Sequence, residues 1–156
     1  MIAVIQRVQS AQVTVEGKIV GRIERGIAAL VAVHADDAAE DIAWLAGKLV
    51  SLRIFPAGDK AFDQDVQAIG GGILLISNFT VAAETQSGRR PSLSAAAGPA
   101  AALPLFDGLV EAVKATSVPI ATGQFGAHML VEIANDGPVT FVLDSRPSRK
   151  LAAGGR

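Results

Sequence analysis

The sequence predicts an α+β domain, a mostly antiparallel sheet with two main helices. Three observations carry this. Alternating apolar and polar residues flank Gly-containing turns, as at 13–23 and 129–143. Two continuous apolar runs, Ile27 to Val33 and Ile73 to Ile76, have the length and borders of buried strands. Apolar residues recur at helical spacing in two segments, about 38–52 and 101–116. A chain of 156 residues, 50% apolar and 19% charged, supports one sizeable core without staples.

Taken in order, Met1 to Val8 reads as a first strand with one charge, Arg7, inside it. Val13 and Val15 alternate with polar neighbours, and Glu16-Gly17-Lys18 turns the chain into Ile19-Val20-Gly21-Arg22-Ile23, a hairpin. Glu24-Arg25-Gly26 turns it again into Ile27 to Val33, a central strand, making four early strands. Asp37 with Glu40 resembles a capping box with Asp in place of Ser or Thr, and Ile42, Leu45, Leu49 and Leu52 follow at helical spacing. Phe55-Pro56-Ala57-Gly58-Asp59-Lys60 breaks the pattern before Gly70-Gly71-Gly72 leads into the strand Ile73 to Ile76. The second helix turns Leu105, Leu109, Val110 and Val113 inward, with Pro104 inside it. Met129, Val131 and Ile133 alternate, Asn135-Asp136-Gly137 supplies a turn, and Val139 to Leu143 forms the last strand. The folded unit is expected over 1–145, with 146–156 a basic, disordered tail.

Composition excludes several classes of chemistry. With no cysteine there is no disulfide scaffold and no thiolate metal site. Two histidines, His34 and His128, and no Gly-x-Ser-x-Gly elbow argue against a serine-hydrolase triad. Asp63 and Asp65 lack the other ligands of a calcium loop, so no metal is expected. The glycine triplet lacks a following Lys-Ser/Thr and reads as a flexible turn. Met1 to Arg7 reaches charge too early for a secretory signal, and no apolar run has the roughly 18 residues of a spanning helix. A cytoplasmic protein without membrane insertion is the expectation. A pI of about 6.1 argues against a generally basic nucleic-acid surface. Four of the 14 basic residues, Arg146, Arg149, Lys150 and Arg156, nevertheless crowd into the tail.

Some local features stand out. Ser77-Asn78-Phe79-Thr80 follows a buried strand directly, placing N–H groups and hydroxyls where the chain leaves the sheet. They either border a site or satisfy a turn. Arg89 and Arg90 in Gly88-Arg89-Arg90-Pro91-Ser92 present two guanidinium groups suited to phosphate, or lie on a solvated loop. Asn135-Asp136-Gly137-Pro138 is a simple turn or holds a cis Gly-Pro bond. His128 in its alternating stretch reads as structural.

Read together, Ile5-Gln6-Arg7-Val8, Leu52-Arg53-Ile54-Phe55, Ser77-Asn78-Phe79-Thr80-Val81, Gly88 to Ser92, Gly123-Gln124-Phe125-Gly126-Ala127-His128-Met129 and Asn135-Asp136-Gly137-Pro138-Val139-Thr140 resemble the D-aminoacyl-tRNA deacylase family, in order from Met1 to about Ser145. The resemblance implies hydrolysis of the ester joining a D-amino acid, or glycine, to the 3' end of tRNA. It implies a barrel-like homodimer with sites at the subunit interface; neither cofactor nor metal is expected. By the same resemblance Gly137-Pro138 is cis and reaches into the partner's site to exclude L side chains. Arg7 orients it, Ser77 to Thr80 line the ester, and Phe79 offers its N–H to the oxyanion. Asn78 and Val81 stand where the family has Gln and Leu, and Ala82-Ala83-Glu84 where it has Tyr-Ala-Asp.

An aminoacyl ester beside a vicinal hydroxyl is already activated, so positioning and oxyanion stabilisation suffice without a protein base. A covalent role for Thr80 ranks lower, since no base can be named beside it. Two competing readings are a relative tuned to another mischarged amino acid and a non-enzymatic module that binds the tRNA end.

Overall fold

In the computed structural model, which describes residues 1–86 and 88–146, Ile2–Val15 make one 14-residue strand, β1. The expected first strand and the first arm of the expected hairpin are therefore a single strand. Its continuity comes from a change of partner. Residues Ile2 to Val8 pair antiparallel with β3 (Gly26–Ala32), and Ala11 to Val15 pair antiparallel with β2 (Lys18–Ile23). The turn between β1 and β2 puts Glu16 and Gly17 at positive φ, 49° and 77°, the geometry that matches the twist of a tight hairpin.

β3 continues the sheet through parallel pairing with β6 (Gly72–Ser77), which pairs parallel with β7 (Ile120–Thr122). The sheet curls until β7 meets β2, where a Cβ on Gly21 would lie 2.2 Å from the Thr122 carbonyl oxygen. The result is a nearly closed, barrel-like sheet. Its outer edge is β8 (Leu130–Asp144), which follows β1 along its length. The short strand β7 and a small hairpin of β4 (Phe55–Ala57) and β5 (Lys60–Gln64) had no periodic signal in the sequence.

The continuous apolar run of β3 follows from the curl, because both of its faces are buried. Ile27, Ala29 and Val31 join a core beneath the helices, and Ala28 joins a second core inside the barrel with Val8, Val13, Ile23, Leu74 and Ile76. The helices are α1 (Ala39–Ser51) and α2 (Pro99–Lys114), which bury Leu45 and Leu49, and Phe106, Leu109 and Val113. Pro104 is accommodated inside α2.

The expected capping box does not form. The residue preceding α1 is Ala38, whose N–H donates to Asp41 Oδ2 at 2.9 Å. Asp37 is drawn inward instead, accepting from the Met1 ammonium at 2.5 Å and from the His34 N–H at 2.6 Å. Ser145 Oγ accepts from the same ammonium at 2.6 Å and donates to Asp41 at 2.5 Å. This buried cluster ties the start of β1, the start of α1 and the end of β8, and so helps fix the β1–β8 register.

Beyond it, Arg146 forms a two-point pair with Asp144, Nε to Oδ1 at 2.9 Å and Nη2 to Oδ2 at 2.6 Å. That hydrogen bonding holds the Asp144 carboxyl below its ordinary value. The pair is partly solvated and contributes little stability. The remainder of the expected tail, 147–156, lies outside the described residues. No described helix is long and apolar enough to cross a membrane.

Candidate active site

β6 delivers the chain to the site. After Ser77 the Asn78 N–H donates to Val31 O at 2.8 Å, which pins the exit of β6 against β3. Asn78 then caps a 3-10 helix, Phe79–Ala82. Its Oδ1 accepts from the Thr80 N–H at 3.3 Å and from the Thr80 hydroxyl at 2.5 Å.

Ser77, Asn78 and Phe79 line a cavity of about 540 Å³. Leu30 and Val31 lie beside them, and Phe125 to Met129 form a facing wall. Ala97, Pro99 and Ala102 close a third side. That third side is laid onto the end of β3 by backbone bonds, Ala97 N–H to Val33 O at 2.9 Å and Ala35 N–H to Ala95 O at 3.1 Å. Behind it His34 is buried, with Nδ1 3.2 Å from Ala95 O. The lining is mostly apolar with a few polar groups, the composition of a small-molecule pocket.

Thr80 is exposed and is not part of the lining. Its hydroxyl proton goes to an amide oxygen, which is no general base. Arg89 and Arg90 are exposed on the loop between Glu84 and Ser92, away from the lining. His128 precedes β8 rather than lying within the strand, and it is exposed at the cavity wall. Of the glycine triplet, only Gly70 has a positive φ. Gly70 thus ends the expected turn before β6, while Gly71 and Gly72 sit where β6 meets Arg25 and Gly26 and are closely packed.

The second group of residues lies elsewhere. The Asn135 to Gly137 segment does not reverse the chain, as a simple turn would. β8 runs through it with an outward bulge. Gln6 faces Thr140 and Val8 faces Asn135, leaving Asp136 to Val139 opposite Arg7. Gly137-Pro138 is cis, and both residues are exposed. Gly137 has φ 134°, and a Cβ there would lie 2.6 Å from Val139 Cγ2, so a side chain is excluded twice over.

Arg7 is largely covered. Its Nε donates to Asp136 O at 3.1 Å and lies 3.3 Å from Asp136 Oδ2, and its Nη1 donates to Ile54 O at 2.8 Å. The charge inside the first strand thus has its partners, with the carbonyl of Asp136 as the acceptor. The loop is absent from its own chain's cavity lining. Among the described residues, no group of three His, Cys, Asp or Glu side chains is placed to hold a metal ion.

The family model for D-Tyr-tRNA(Tyr) deacylase matches residues 4–144. The chain belongs to that family. This deacylase-family chain is 48% identical to the D-aminoacyl-tRNA deacylase of Chloroflexus aurantiacus, across 96% of this chain and 93% of that one. It is 47% identical to the protein of the same name from Methylococcus capsulatus, across 96% and 97%. Among solved structures it is similar to one titled c-Myc DNA Unwinding Element Binding Protein, with a TM-score of 0.88 and 34% identity over 93% of this chain and 99% of that chain.

Sequence reasoning missed the cavity walls. Ala97 and Ala102 lie in or beside a small-residue stretch that reads as loop, and their roles arise from where β3 and α2 meet. The side chain of Asn135 was also read only as part of a turn.

Proposed function

We propose that this chain is a D-aminoacyl-tRNA deacylase that hydrolyses the ester between a D-amino acid, or glycine, and the 3'-terminal adenosine of tRNA. The observation that carries the reading is the cavity at the end of β6, lined by Ser77, Asn78 and Phe79 where the chain leaves the sheet. The chain's near-half identity to relatives named D-aminoacyl-tRNA deacylase supports this substrate class.

Water adds to the ester carbonyl, and the charge that develops on its oxygen is met by the Phe79 N–H. The ester C–O bond then breaks, and the ribose oxygen departs with a proton passed through the vicinal 2'-hydroxyl. One preorganised donor contributes on the order of 10²- to 10³-fold, and holding the ester beside water and hydroxyl adds an entropic gain. Neither contribution calls on a metal. A substrate ending in 2'-deoxyadenosine should react far more slowly than the ribose form; equal rates would remove the RNA from the mechanism.

The working unit in this proposal is a homodimer. β8 offers its outer edge together with exposed Phe141 and Val142, surface that a lone domain leaves to water. Gly137 and Pro138 of each subunit, held by Arg7, would enter the partner's cavity and leave no room for an L side chain. Arg89 and Arg90 would meet the tRNA backbone. On this reading the protein would meet charged tRNA in the cytoplasm.

The test is release of amino acid from D-Tyr-tRNA, L-Tyr-tRNA and Gly-tRNA, with and without EDTA, alongside the mass in solution by light scattering. Turnover of the D and glycyl substrates alone, by a dimer and regardless of EDTA, is the expected result. Equal turnover of L-Tyr-tRNA would overturn the chiral filter. Binding of tRNA without turnover of any substrate would favour a tRNA-end binding module.

A further inference from the structure

We infer that Asn135 is a positioning residue that sets the Asp136 to Val139 loop and thereby the discrimination between D and L substrates. The inference rests on the proposed reading that Gly137-Pro138 is the selecting element.

Asp136 to Val139 stand opposite a single residue of β1, Arg7, so the strand ladder itself does not hold them. The Asn135 carboxamide spans the base of this bulge. Its Oδ1 accepts the Val139 N–H at 3.0 Å, and its Nδ2 donates to Thr140 Oγ1 at 3.1 Å and to Gln6 Oε1. One side chain therefore joins the residue before the loop to the loop's last residue, to the residue after it and to the neighbouring strand.

Arg7 grips the other side through Asp136 and Ile54. The two clasps differ in what they fix. Arg7 holds the residue that enters the loop, whereas Asn135 sets where the chain returns after Pro138. Glycine and proline have no polar side chain with which to anchor themselves, so their placement depends on these neighbours. A loop that works by excluding a side chain tolerates little drift, since displacement by about 1 Å in a positioned site changes rates by up to 10²-fold.

The experiment compares kcat/KM for L-Tyr-tRNA and D-Tyr-tRNA in wild-type protein, Asn135→Ala and Asn135→Asp, with Tm measured for each. Alanine removes every bond of the clasp and should raise the L-to-D ratio by about 10- to 100-fold. Aspartate keeps the acceptor for the Val139 N–H and should restore most of the discrimination. If alanine lowers Tm but leaves the ratio unchanged, Asn135 is merely structural and the inference fails.

Should Asn135→Ala not fold, Thr140→Val removes one arm of the clasp and should raise the ratio by a smaller factor; an unchanged ratio there also overturns the inference. The underlying reading fails in a different way, through a wild-type protein that does not distinguish the two substrates.

Discussion

Proline in place of Phe79 should slow single-turnover hydrolysis of D-Tyr-tRNA by about 10²- to 10³-fold, whereas alanine there should cost far less. Both changes remove the ring, which is 58% exposed and so contributes little to the core of the isolated chain. Only proline removes the N–H. The position tolerates it, because Phe79 opens a helical turn where no intrahelical acceptor waits for that N–H. Asn78 is extended, φ −147° and ψ 91°, and so lies outside the α region that a following proline disfavours. Equal rates for Phe79→Pro and Phe79→Ala would sink the assignment of this N–H to the oxyanion.

The same turn explains why Thr80 is better read as a structural partner than as a nucleophile. Its hydroxyl and N–H both address Asn78 Oδ1, and a nucleophilic hydroxyl needs a base to take its proton. Asn78 is itself short enough to close this turn from the capping position. Its departure from the family's Gln therefore leaves the backbone of the segment in order.

What was legible in the sequence was local, or lay in whole motifs. The Glu16-Gly17 hairpin, the buried runs of β3 and β6 and the inward faces of both helices follow from spacing and turn residues a few positions apart. The unbroken β1 was not legible, because nothing within Val8 to Val13 reports that the strand exchanges β3 for β2 along one edge. β7 has three residues, too few to display a period. The site divides in the same way. Ser77 to Phe79 could be placed at the end of a strand from sequence, but the cavity wall at Ala97 depends on a bond to Val33, 64 positions away. Spacing left Asn135 to Pro138 open between a turn and a cis bond, and family resemblance alone favoured the second. The clasp that Asn135 forms across the bulge needs three partners brought together by the sheet.

Gly26→Ala should be the most damaging single-methyl change in the sheet. Gly26 pairs with Val8 on one side and with Gly72 on the other, at the point where β1, β3 and β6 run side by side. A Cβ there would lie 1.9 Å from the Gly72 carbonyl oxygen and 2.8 Å from its nitrogen. Both are backbone atoms, so no rotamer change relieves the overlap, and the strands must separate. Overpacking costs about 1–3 kcal/mol where side chains can yield; against backbone that cannot rotate away the cost should reach about 3 kcal/mol or more, lowering Tm by roughly 6–12 °C. Gly47→Ala is the matching control. Gly47 lies on the exposed face of α1 with nothing within 4 Å of a new Cβ, and alanine gains about 1 kcal/mol in a helix interior. Its Tm should rise by roughly 2–4 °C. Scanning calorimetry of the two variants therefore separates close approach from flexibility. A Gly26→Ala protein that melts within about 2 °C of wild type would mean that β3 and β6 can part at little cost. The end of β6 would then be less firmly placed than the proposed positioning of the ester by Ser77 to Phe79 requires.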